Sequence, residues 1–170
     1  LNLANVLLTE TLYSRILGTA RERGLVYGMN SGVSQTRGSS NWWFGAQVSD
    51  KNIEPLLGII RHELERLMNG DISPADLTTI KQYALGRHQR GAQRAADTAD
   101  AYAQRYFFDG VIENYYQVPE RIEAVTKDQI VAVCRAMFKD DVWGFGVLGS
   151  CGSDYAVKLQ QQLAPLWEGK

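Results

Sequence analysis

The chain has 170 residues, 18 basic and 19 acidic, for a formal net charge of -1, so it offers no broad positive field to nucleic-acid phosphates or anionic lipid. With 45% hydrophobic and 22% charged residues it has the profile of an ordinary globular domain with one buried core. No apolar run approaches the roughly 20 residues of a spanning helix, and two cysteines, Cys134 and Cys151, are too few for a disulfide framework; neither nucleic acid nor membrane is expected as a partner.

Ala4, Leu8, Leu12 and Ile16 fall four apart, and the spacing predicts one helix over 3–17 with Gly18 as its stop. It begins almost at residue 1 with no N-cap ahead of it, which reads as a cut into an existing element; residues 1–170 are expected to be a single domain taken from a longer chain. Next, Leu25, Tyr27, Met29, Ser31 and Val33 alternate with Val26, Gly28, Asn30 and Gly32, the period of a strand. Gly28 and Gly32 leave one face low, open to a close-packed helix or to an extended peptide laid alongside. Residues 35–39 form a turn, and 41–48 a second strand with Trp42, Phe44, Ala46 and Val48 on one side. The two pair as an antiparallel hairpin.

Ser49 or Asp50 opens a helix whose Ile53, Leu57, Ile60, Leu64 and Leu67 keep three- and four-residue spacing until Asn69-Gly70. Ser73-Pro74-Ala75-Asp76 has a cap residue, a proline at the first helical position and an acid in the first turn, so a long helix follows, fading near Gly91. Residues 97–108 read as a helix with Ala99, Tyr102, Ala103 and Tyr106 on a face suited to close packing, ended by Asp109-Gly110. A short helix over 119–125 precedes Thr126-x-x-Gln129, a capping box ahead of Ile130, Val133, Cys134 and Met137. Residues 142–148, Val-Trp-Gly-Phe-Gly-Val-Leu, alternate large side chains with glycine and predict a third strand. A final helix begins at Ser153 or Asp154, with Val157, Leu159, Leu163 and Leu166 as its apolar residues and Pro165 to distort or end it. The order is that of an α+β fold, an antiparallel sheet of three strands with several helices against it.

Arg61-His62-Glu63-Leu64-Glu65-Arg66 comes near the H-x-x-E-H of inverted zinc peptidases, but Arg66 stands where the second imidazole is needed, and an arginine has no lone pair for a metal. One His and one Glu fall short of the three protein ligands of a catalytic zinc, and the other histidine, His88, lies between Arg87 and Arg90. No metal site is expected in this chain. There is no G-x-S-x-G elbow, P-loop or G-x-G-x-x-G. Trp42-Trp43-Phe44 at strand spacing reads as core on one side and cover on the other, and Tyr115-Tyr116 likewise as packing. A strand tyrosine such as Tyr27 is, on its own, more often packing than function.

Taken in order, the segments Ser14-Arg-Ile-Leu, Arg23-Gly-Leu-Val-Tyr-Gly, Gly38-Ser-Ser-Asn-Trp-Trp-Phe, residues 53–70, Ile72-Ser-Pro-Ala-Asp-Leu and Glu120-Arg-Ile-Glu-Ala-Val-Thr-Lys-Asp-Gln-Ile resemble the zinc-free C-terminal half of the pitrilysin/insulinase zinc peptidases, which include the mitochondrial processing peptidases. The resemblance implies one of two similar α+β halves enclosing a chamber, with the zinc ligands in the other half. It implies a partner, that zinc-bearing half, in the same chain or a separate subunit, and a peptide substrate. By the same resemblance Tyr27 steadies the oxyanion of the scissile carbonyl and Gly28, Met29 and Asn30 line the peptide. The family's arginine seven residues before the tyrosine is Ala20 here, which leaves Arg21 as a substitute and admits a scaffold or binding subunit that has lost the chemistry. The chain is expected to be inactive alone.

Overall fold

α3 (Asp50–Met68) is the longest helix among the described residues and the spine of the core. Ser49 precedes it in extended conformation and Asp50 sits in its first turn, where negative charge meets the positive end of the helix dipole. Its Leu57, Ile60, Leu64 and Leu67 are buried as the spacing requires. The chain reverses at Gly70, whose φ of 79° is cheap only for glycine, while the Asp71 N–H donates to the Arg66 carbonyl. In this computed structural model, which describes residues 1–36, 38–91, 93–112, 114–139, 142–150 and 152–167, α2 (Arg15–Glu22), α7 (Lys127–Met137) and α8 (Ser153–Leu163) pack on α3.

The capping signals form as read. Ser73 Oγ accepts from the Asp76 N–H at 3.0 Å and the Asp76 carboxylate accepts from the Ser73 N–H at 3.0 Å, opening α4 (Pro74–Gly91). Thr126 and Gln129 make the reciprocal pair that opens α7. α6 (Val118–Ala124) packs on α4. Burial pushes the Cys134 thiol, inside α7, up to about 11; Cys151 lies outside the described residues.

Three expectations are corrected. The single helix over 3–17 is broken: α1 (Asn2–Asn5) passes into a π-helical turn, Val6–Glu10, and Thr11 is extended at φ -127° and ψ 162° before α2 starts. Ser14 Oγ–H donates to the Thr11 carbonyl at 2.5 Å and the Thr11 N–H to Ser14 Oγ at 3.3 Å, local bonds that compete with the helix. Leu12 is thereby turned out, 58% exposed. Gly18 is no stop; it lies within α2, where a Cβ would come 2.7 Å from the Leu12 carbonyl oxygen, and the stop is Gly24 at φ 61°.

Among the described residues the sheet has two strands rather than three, β1 (Val26–Thr36) and β2 (Ser39–Val48); Arg37 lies outside the described residues. Residues 142–148 keep the alternating burial of a strand, with Phe145 and Val147 on the core and Val142 and Leu148 exposed. They join no ladder among the described residues. Alternation encodes which side chains face the core, whereas a strand also needs a neighbour for its N–H and C=O groups.

The third correction concerns α5 (Ala95–Asp109), which ends at Gly110 as expected but buries none of its residues. Ala99, Ala103 and Tyr106 are exposed and Tyr102 is half-buried. A bond from the Tyr115 N–H to the Tyr102 hydroxyl at 3.1 Å tethers it.

Candidate functional site

The hairpin ladder is regular from Thr36↔Ser39 back to Gly28↔Gln47, but the next pair is Val26↔Val48. Tyr27 is therefore one residue too many for its partner strand, a β-bulge, a device that re-aims a side chain and is frequent beside functional sites. Strict alternation would put Tyr27 on the same face as Met29. Instead Val26 takes the inward place with Met29, both packed against the core, and Tyr27 is 84% exposed.

The outer face around it is partly open. A Cβ on Gly28 would meet nothing within 4 Å, whereas one on Gly32 would strike the Trp43 indole at 3.0 Å. Trp42 and Phe44 pack inward with ring centroids 5.0 Å apart, while Trp43 lies outward at 42% exposure, over Gly32 and Gly45. Asn30 is exposed, so Gly28 and Asn30 face outward and Met29 presents only its backbone there.

Ala20, seven residues before Tyr27, is fully buried one turn after the fully buried Ile16. Arg21 is exposed in the last turn of α2 and forms no ion pair among the described residues. A cation at a helix C-terminus is also what the helix dipole favours by itself.

The zinc implied by the family does not fit this chain. His62 is exposed on α3, Glu65 pairs with Arg61 at 3.6 Å, and Arg66 binds Glu63 at 2.9 Å and Asp71 at 2.6 Å. Arg66 thus fills with positive charge the place of a second imidazole, and its hydrogen bond to Asp71 holds that carboxyl below the usual range. Among the described residues no three His, Cys, Asp or Glu side chains gather to hold a metal. His88 stacks on Tyr115 with centroids 3.9 Å apart. Both line a cleft of about 770 Å³ between α4, α5 and α6 that does not include Tyr27.

Sequence reading passed over Asn5. Its side chain is buried, and its Oδ1 accepts from Ser31 Oγ on β1 at 2.8 Å and from Trp42 Nε1 on β2 at 2.8 Å. Because an indole N–H only donates, the atom it meets must be the amide oxygen. Nδ2 donates to Glu10 Oε1 at 3.0 Å, and Glu10 Oε2 accepts from Arg87 on α4 at 2.5 Å. Thr9 Oγ1 contacts both the Asn5 carbonyl and Ser31 Oγ. The only signal was one amide inside the apolar run Leu3-Ala-Asn-Val-Leu-Leu8.

A two-stranded antiparallel hairpin on a helical core defines an α+β domain. Residues 1–83, just under half of the chain, match the family model described as the Peptidase M16 inactive domain, which bears out over that stretch the resemblance to the zinc-free half of the pitrilysin/insulinase type. Similar folds include a chain of complex III2 from Candida albicans with Inz-5 bound, at 15% identity and TM-score 0.68 over 79% of this chain and 34% of that one. A protease from Helicobacter pylori is 20% identical with TM-score 0.69, over 82% of this chain and 34% of that one. The inactive peptidase domain of a Bordetella parapertussis protein described as a zinc protease is 18% identical with TM-score 0.67, over 79% of this chain and 74% of that domain. This chain thus spans about a third of the first two, 34% of each. No curated protein matches it.

Proposed function

We propose that this chain is the substrate-enclosing, zinc-free half of a metalloendopeptidase. It packs against a zinc-bearing half, in the same polypeptide or in a partner subunit, and a peptide lies as an added strand beside Gly28, Met29 and Asn30. The phenol of Tyr27 donates a hydrogen bond to the oxyanion that develops on the scissile carbonyl. What supports this reading is the bulge, which presents an 84% exposed tyrosine in a segment matching the inactive peptidase domain. A hydroxyl donor aimed at developing negative charge lowers the barrier by about 3 kcal/mol. In the assembled peptidase, Tyr27→Phe is expected to lower kcat about 100-fold with little change in KM; unchanged turnover removes the role.

A second reading is a scaffold or binding subunit of the same fold. It is favoured by Ala20: the buried pair Ile16 and Ala20 holds α2 in register and leaves no arginine at that position. A neighbour of this fold is a chain of complex III2. In that case neither Arg21→Ala nor Tyr27→Phe changes any cleavage in the assembly.

A further inference from the structure

We infer that Asn5 is a positioning residue: it fixes the register of the hairpin, and with it the bulge that turns Tyr27 outward. The positioning of the phenol rests on the reading of Tyr27 given above; the register does not. One amide oxygen takes a donor from each strand, Ser31 Oγ and Trp42 Nε1, both at 2.8 Å. These two residues are diagonal neighbours in the ladder, since Ser31 faces Phe44 and Trp42 faces Val33. Sliding one strand against the other separates the two donors and leaves a buried amide short of a partner, which strongly favours a single register.

Apolar contacts alone do not make that choice. A slip by one residue turns one strand's inward side chains outward and is excluded by the apolar pattern, but a slip by two keeps Trp42, Phe44 and Val48 on one strand and Val26, Met29 and Val33 on the other toward the core. A slip by two residues takes Val26 off Val48 and Gly28 off Gln47, the two pairs that flank the unpartnered Tyr27, and the phenol leaves its place. Asn5 is itself held from behind, because its Nδ2 reaches Glu10, which Arg87 clamps from α4. The π-turn Val6–Glu10 brings Thr9 under Ser31, so the four contacts of Thr9 and Ser31 with each other and with Asn5 share two hydroxyl protons.

The test is a double-mutant cycle in the peptidase assembled from this chain and its zinc-bearing half, with a fluorogenic peptide as substrate. Asn5→Ala is expected to lower kcat roughly 10- to 100-fold with KM little changed, the scale of a slightly misplaced group. In the Tyr27→Phe background Asn5→Ala is expected to change kcat less than about twofold, because the two act as one unit. Equal losses in both backgrounds overturn the inference, since a merely structural role is additive. Trp42→Phe, which keeps the aromatic ring and removes the N–H, repeats the cycle should Asn5→Ala fail to fold. On the chain alone, NMR contacts between Gly28 and Gln47 report the register directly; they are expected to weaken and a second set to appear in Asn5→Ala. One unchanged register in that variant also overturns the inference. If Tyr27→Phe alone leaves kcat unchanged, the phenol reading fails and its positioning with it, and the NMR contacts still decide whether Asn5 holds the hairpin.

Discussion

The hairpin and α5 are both rich in aromatic side chains, yet they are held in opposite ways. The hairpin is fastened on its inner side by Trp42, Phe44, Val26 and Met29 and by two hydrogen bonds into a buried amide. α5 has no fully buried residue and carries Tyr106 and Phe107 in solvent. A helix satisfies its own backbone bonds and can stand off the body on a few tethers. A two-stranded ribbon cannot, because it is marginal in water without a packed face. The position of a side chain on the hairpin is therefore set by the core, and that of one on α5 is set mostly by the helix itself.

The largest effect that separates the two regions is a pair of truncations. Trp42→Ala is expected to cost about 3 kcal/mol in denaturant melts, whereas Phe107→Ala, at 68% exposure, costs within about 0.5 kcal/mol. Equal losses mean that α5 is packed in solution and the contrast is false. A finer division runs through the hairpin itself. Gly32→Ala drives a methyl into the Trp43 indole and is expected to cost about 1–3 kcal/mol, while Gly28→Ala meets open space and shifts stability by less than about 1 kcal/mol. Matching melts for the two variants mean that Trp43 does not lie over the sheet.

The smallest effect concerns the start of α4, outside both regions. Burial opposes ionisation of Asp76, but the Ser73 N–H and hydroxyl and the Arg15 guanidinium at 2.8 Å outweigh it and hold its carboxyl below the usual range. The unfolded chain then takes up this proton first, so the contribution is complete above about pH 3.9 and is lost as pH falls through the folded value. Asp76→Asn is expected to flatten that acid limb in pH-dependent melts and to cost about 1 kcal/mol at neutral pH.

Much of the fold is legible in the residues because its signals are local. Ser73-Pro74, Thr126-x-x-Gln129 and Asn69-Gly70 each declare a helix end through chemistry within a few residues. The stripe of α3 is legible for the same reason. Tyr27 is another matter: the alternation from Leu25 to Val33 is unbroken in sequence, and the extra residue exists only relative to β2. Thr11 and Ser14 break a perfect four-residue spacing by hydrogen bonds that hydrophobicity does not register. Residues 142–148 carry the pattern of a strand without a described neighbour to make them one. Asn5 gathers partners 26 and 37 residues away, which no window on the chain brings together.

Trp43 makes the outward side of the hairpin optically observable. Of the four tryptophans, Trp42 and Trp167 pack on the core and Trp143 stacks on Trp167 at 4.3 Å. The 42% exposed indole over Gly32 and Gly45 is thus the fluorophore that an extended ligand on that side would shield from water. Its emission should shift to the blue on titration with such a ligand, and the shift should vanish in Trp43→Phe, so occupancy can be read without a label or a cleavage reaction.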